Sequence, residues 1–185
     1  MKKYEHFSVD IETLGNKSNA AIVSIGATAF DLEGISEQQY YVKVCLDDCL
    51  KYGKVDGSTL AWWLMQSEEA RKELYETNNR HPLSRCLQGL SNYFLKMGSS
   101  ESKTTIWSCG AGFDPVIIQN AYEATGQIAA WKFWNVRCHR TMKALFKDVP
   151  EPKLEGNIKH NALADAVKQA QHLIAICKAK GLELK

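Results

Sequence analysis

Apolar and polar positions alternate from Glu5 to Thr13. Phe7, Val9 and Ile11 fall on one face, and Ser8, Asp10 and Glu12 on the other. That period of two predicts a strand with one buried side. Ala21 to Asp31, rich in small and β-branched residues, reads as a buried second strand, and Gln39 to Val44, after a turn at Gly34, as a third. Short turns between them predict an antiparallel meander. The period then lengthens. Leu60, Trp63, Leu64, Ala70 and Leu74 recur at helical spacing behind the capping run Asp56-Gly57-Ser58. Leu83 to Met97 predicts a second helix, closed by Gly98-Ser99-Ser100. Thr104 to Cys109 reads as a strand and Phe113 to Thr125 as a helix, with Asp114 as cap and Pro115 in its first turn. A fifth strand is expected over Phe133 to Cys138, a short helix over Thr141 to Phe146, and a long closing helix capped by Asn161. Its apolar stripe is expected to run through Leu163, Ala166, Val167, Ala170, Ile174 and Cys177.

The predicted order is β-β-β-α-α-β-α-β-α-α. A meander followed by alternating units implies a mixed five-stranded sheet with helices on its faces. At 185 residues the chain reads as one domain, 1–185, with no repeat, low-complexity tract or proline-rich linker. A chain of this size buries roughly 70% of its unfolded surface, enough for a core without staples. Hydrophobic residues make up 45% and charged residues 24%, which excludes a disordered or fibrous chain. No stretch approaches the ~20 apolar residues of a membrane span, so no membrane partner is expected. The opening MKKYEHF is not followed by an apolar run, so a cytoplasmic location is the default expectation. Six cysteines are scattered without C-x-x-C or zinc spacing and are expected to be reduced. A net charge of +2 neither demands nor excludes a polyanionic partner.

Acidic residues change the picture. Asp10 and Glu12, two apart on a strand, point to one face. Like charges so close raise each other's pKa unless a cation lies between them. Asp114 opens a helix behind Phe113, and Asp165 lies in the first turns of the closing helix, five residues after His160. Each alone also reads as ordinary surface or capping chemistry. Together they supply the several carboxylate oxygens that hard divalent cations require. No Cys/His cluster competes for a softer metal. An imidazole beside them is a proton acceptor near pH 7.

The segments DIETLG at Asp10–Gly15, FD at Phe113–Asp114 and HNALAD at His160–Asp165 resemble the DEDDh, or DnaQ-like, 3′–5′ exonucleases. The likeness is greatest to the phage DexA-type, exonuclease-VIII-like and ribonuclease AS branch. It extends to AIVSIGATAFD, STLAWWLMQSEEAR and HNALADAVKQAQH. The element order is likewise that of the ribonuclease-H-like fold.

This resemblance implies two Mg²⁺ or Mn²⁺ ions held by Asp10, Glu12, Asp114 and Asp165, with His160 as general base. The implied reaction is two-metal hydrolysis that releases nucleoside 5′-monophosphates from single-stranded 3′ ends. DNA is favoured on branch likeness, with RNA trimming as the alternative and a non-catalytic nucleic-acid-binding module ranked below both. Implied substrate contacts are Leu14 and Gly15 after the first acidic pair, Trp63 or its neighbour Trp62 stacking on a base, and Arg140 on phosphate. Relatives dimerise, which raises a homodimer as an expectation. One departure is that Cys109-Gly110-Ala111-Gly112 stands where many members of the family carry His-Asn.

Overall fold

The computed structural model describes residues 2–153 and 160–184. Six strands form one mixed sheet in the order β4-β3-β2-β1-β5-β6. The meander is as expected: β1 (His6–Thr13) pairs antiparallel with β2 (Ile22–Phe30), and β2 with β3 (Ile35–Val44). On the other side of β1, β5 (Thr105–Ser108) and β6 (Val136–Cys138) run parallel to it. The added sixth strand is β4 (Arg80–His81), parallel to the end of β3; two residues are too few to carry a periodic signal.

Alternation along β1 sorts the two faces. Phe7, Val9 and Ile11 enter the larger core, beneath α4 (Leu83–Met97) and α5 (Asp114–Ala124). Leu87, Leu90 and Phe94 of α4 and Ile117, Ile118 and Tyr122 of α5 are all fully or almost fully buried there. The opposite face is covered by α7 (Ala162–Lys180), with α6 (His139–Leu145) beside it. A smaller core of Phe30, Trp107, Ala170 and Leu173 lies under them.

Three expectations are corrected. A charged seven-residue helix, α1 (Leu46–Tyr52), follows β3 and is too short to show a period. The helix expected through Leu60 and Leu74 is two, α2 (Gly57–Leu64) and α3 (Glu68–Tyr75). Ser67 separates them by accepting the Ala70 amide hydrogen at 3.3 Å, a side-chain cap that competes with continuing the first helix. Finally, the buried stripe of α7 runs through Ala162, Ala166, Ala170, Leu173 and Cys177, leaving Leu163 and Val167 half-buried.

Alanines face the sheet because the helix lies very close to it. A Cβ added at Gly26 on β2 would stand 2.3 Å from the Ala162 carbonyl carbon and the Leu163 nitrogen. Gly26 pairs with Asp10 in the sheet register, so the start of α7 is pressed against the strand next to the one that carries Asp10 and Glu12. Gly26→Ala forces helix and sheet apart. Overpacking of this kind costs about 1–3 kcal/mol, or roughly 2–12 °C in Tm for a chain of this size. Thermal unfolding measures it, and an unchanged Tm would mean that α7 is not seated by this contact.

Candidate active site

The acids come from three elements. Asp10 and Glu12 leave β1 on the α7 side, next to a register shift between Glu12 and Thr13 that re-aims the strand end. Asp165 descends from the first turn of α7. One oxygen from each of Asp10, Glu12 and Asp165 can be chosen so that all lie within 4.8 Å of one another. Asp114, in the first turn of α5, lines the same cleft of about 430 Å³. It does not act as the predicted cap. It sits one residue inside the helix, and its Oδ1 accepts the Ile11 amide hydrogen at 3.3 Å, which ties α5 to β1 between the two strand acids.

Burial and crowding act on these groups in the same direction. Burial, then the charges of Asp114, Glu12 and Asp165, push the Asp10 carboxyl well above the usual carboxylate range. Glu12 is pushed up to about 8, first by burial and then by Asp165 and Glu73. Burial takes Asp114 to about 7 against the pull of the Ile11 amide and Arg140. Asp165 is also raised by burial, although His160 and Lys168 favour its ionised form. An all-oxygen donor set strained by its own charge fits a hard divalent cation, which relieves that strain.

His160 precedes the α7 cap and lines the cleft with the acids. Its backbone is left-handed, φ +63°, a costly conformation for a side chain larger than glycine. Its ring stands edge-on to Trp62, with centroids 4.7 Å apart. Of the adjacent tryptophans, Trp63 is 0% exposed and donates its indole N–H to the Thr13 carbonyl at 2.9 Å. The expected substrate contact therefore cannot be made by Trp63, which anchors the end of β1. Trp62 is the partner that reaches the surface, at 37% exposure. Leu14 and Gly15 are also buried and do not line the acidic cleft. Arg140 does line it, with one guanidinium nitrogen donating to the Cys109 carbonyl at 3.0 Å.

Several cleft groups had not been singled out from sequence. Gln169 donates to Asp10 Oδ1 at 2.8 Å, and its own carbonyl oxygen is buried without a partner among the described residues. Its signal was available: it stands four residues after Asp165 on one helix, hence on the same face. Lys143 and Lys168 converge on Glu151, whose carboxyl they hold down at about 2. His172 donates from Nε2 to the Val149 carbonyl and accepts at Nδ1 from His139, at 3.0 and 2.9 Å. This chain fixes both tautomers, and burial holds His139 down at about 4.

Farther back, Glu73 is a buried carboxylate on α3. It accepts from the Tyr41 hydroxyl at 2.6 Å and from the Asn161 amide at 2.6 Å. Asn161 in turn caps α7 by accepting the Ala164 amide hydrogen at 3.0 Å. The start of α7, and His160 beside it, is thereby tied to α3 and β3.

A family model described as the Rv2179c-like 3′-5′ exoribonuclease domain matches residues 5–177. An exodeoxyribonuclease of Enterobacteria phage T4 is 26% identical over 208 aligned positions, covering 96% of this chain and 91% of that protein. Among solved structures, Pop2p of S. pombe in its Mg²⁺- and Mn²⁺-bound form superposes with a TM-score of 0.66 at 13% identity, covering 96% of this chain and 84% of that one. The nuclease domain of 3'hExo, a DEDDh family member bound to rAMP, gives 0.64 at 13%, covering 98% and 96%. Exonuclease X in complex with 5' overhanging duplex DNA gives 0.57 at 16%, covering 95% and 93%. These likenesses place the architecture among the ribonuclease-H-like folds of DEDDh nucleases. No helix among the described residues is long and apolar enough to cross a membrane.

The raised carboxylates give a signed pH dependence. The unfolded chain ionises them near pH 4, whereas the folded chain resists ionisation up to about pH 8 at Glu12. Between those values the native state binds more protons, so stability falls as pH rises. Metal-free protein should lose Tm from about pH 5 to pH 8. The Tm gained on adding Mg²⁺ or Mn²⁺ should grow over the same window. Glu12→Gln should flatten the metal-free slope, at roughly 2–4 °C per kcal/mol relieved at pH 8. A Glu12→Gln slope equal to that of the native chain would show that this acid carries none of the strain.

Proposed function

The chain belongs to the Rv2179c-like 3'-5' exoribonuclease domain family and is a 3′–5′ exonuclease, and from that premise we propose that it hydrolyses single-stranded nucleic acid from the 3′ end to nucleoside 5′-monophosphates, with DNA the favoured substrate. The observation that carries the reading is the convergence of Asp10, Glu12 and Asp165 within 4.8 Å on a cleft that Asp114 and His160 also line. The preference for DNA is supported by the full-length likeness to the phage exodeoxyribonuclease. The family model's description favours RNA as the second reading.

Asp10, Glu12, Asp114 and Asp165 would hold two divalent cations. When bound, these cations supply Lewis acidity and offset the formal −4 of the four carboxylates. His160 accepts a proton from the attacking water. Its place is set by the Asn161 cap behind it and by Trp62 at its side. Gln169 engages one oxygen of Asp10 and leaves the other free for a cation. Arg140, exposed on the rim, suits a phosphate of the strand, because its planar fork matches phosphate oxygens. Trp62 offers an apolar edge beside the position of the terminal base.

End-labelled DNA and RNA oligomers of equal sequence, incubated with Mg²⁺, test this directly. The expected result is a 3′-to-5′ ladder with 5′-monophosphate products, faster on DNA and abolished by a chelator. Internal cuts without end preference would overturn the exonuclease reading, and faster RNA digestion would reverse the substrate preference. His160→Ala should lower kcat by about 10²–10⁴ while leaving metal binding by calorimetry intact. Full activity in that variant would remove the general-base role.

A further inference from the structure

The cleft and a second concavity share one wall. Cys109 and Phe113 of the loop and Asp114 at the start of α5 line the acidic cleft, while Ala111 of that loop and Pro115 of that helix line an apolar depression of about 290 Å³. Phe133 and Trp131 are also among its lining residues. Trp131 is buried, edge-on to Phe94 and Tyr122, so the lining is anchored in the main core. Phe133 is 82% exposed and its neighbour Trp134 60% exposed, the two rings edge to face at 81° with centroids 4.9 Å apart. The turn that carries these rings is braced. Asn135 donates to the Ser102 carbonyl at 2.7 Å, and Lys132 pairs with Glu101 at 2.8 Å.

Two large rings held in solvent by a braced turn do nothing for the core. Their surroundings indicate what they meet. From residue 124 to residue 147 the chain carries five Lys and Arg residues and no Asp or Glu. Lys132 and Lys143 are paired with Glu101 and Glu151, while Arg137 donates to the Trp134 carbonyl beside the rings and Arg140 is exposed on the cleft rim. Aromatic rings interleaved with cations suit bases and phosphates. A surface for a second protein chain would instead be depleted of lysine.

We propose that Phe133 and Trp134 form a base-stacking platform for the strand being digested, engaging nucleotides on the 5′ side of the reacting phosphodiester while the 3′ end lies among the acids. This rests on the exonuclease reading above and adds to it a subsite outside the cleft. Residues 109–115, which contribute to the lining of both depressions, are the stretch the strand would cross between them. Bases stack through their π faces, so the platform is tolerant of sequence. It sets a preference for chain length instead.

The test uses the full chain and oligothymidylates of two and twelve nucleotides. With a chelator present to stop hydrolysis, the double variant F133A/W134A should bind the dodecamer roughly tenfold or more weakly than the native chain, as expected for lost stacking. With Mg²⁺ its KM for the dodecamer should rise by a similar factor at unchanged kcat, while turnover of the dinucleotide stays native. The variant F133Y/W134F, which keeps both π faces, should restore dodecamer affinity. Equal dodecamer affinity and KM in the native and alanine proteins would overturn the platform. So would a native dimer that the alanine variant splits without loss of affinity, since the face would then belong to a second copy. A native chain that digests neither oligomer fails at the exonuclease reading itself. That outcome is distinct from one in which the native chain digests both and the variant does so equally.

Discussion

The site exists because a helix and a strand approach closer than side chains normally allow. The first turn of α7 rests on β2 at Gly26, where even a methyl group would collide with main-chain atoms. Gly26 is the register partner of Asp10, so the contact that removes all space between helix and sheet also sets the distance between Asp165 and the strand acids. The alanines at 162, 166 and 170 continue the same close seam along the helix. Had the layers met at a spacing set by leucines, Asp165 would stand farther from the strand and three carboxylates could not share one small volume. Packing of small groups thus determines an electrostatic arrangement.

That arrangement is unfavourable on its own. Four acids in one cleft, with Glu12 pushed up to about 8 and Asp114 to about 7, oppose folding over the neutral pH range. The fold supplies partial relief from within. The first turns of α5 and α7 carry Asp114 and Asp165, where the positive ends of the helix dipoles favour ionised carboxylates. The Ile11 amide and the Gln169 side chain each donate to one acid. Positive charge near the rim is kept from collapsing onto the acids: Lys143 and Lys168 are both engaged by Glu151. The cleft therefore retains an unmet demand for cations, unlike a set of neutralised ion pairs.

The residues that converge on the cleft were legible because their signals are local in sequence. Asp10 and Glu12 announce themselves by strand alternation, and His160, Asn161 and Asp165 by their place at a helix start. The meander, α4 and α5 were legible for the same reason, since their periods are carried by large apolar side chains. What was hidden is long-range or small. The seam of α7 is made of alanines, and a reading weighted to large residues rotated the stripe toward Leu163 and Val167. Trp63 and Trp62 are equivalent in sequence. Only the bond from the Trp63 indole to the Thr13 carbonyl, fifty positions away, shows which one is structural. Glu73 looks like the wet face of a polar helix, and its partner Asn161 lies 88 positions downstream.

Glu73 also explains how His160 can keep a left-handed backbone next to a helix cap. A strained residue persists where its surroundings over-determine it. On one side Asn161 is fixed twice, by the Ala164 amide it accepts and by the Glu73 carboxylate to which it donates. On the other, the His160 ring meets the edge of Trp62, whose neighbour Trp63 is locked to β1. Both supports converge on the chain around Thr13 and Asp165, the two edges of the acidic cluster. Position of the imidazole and position of the acids are therefore not independent variables. Each depends on the same seating of α7 on the sheet, and a shift of that helix would move His160 and Asp165 together relative to Asp10 and Glu12 on β1.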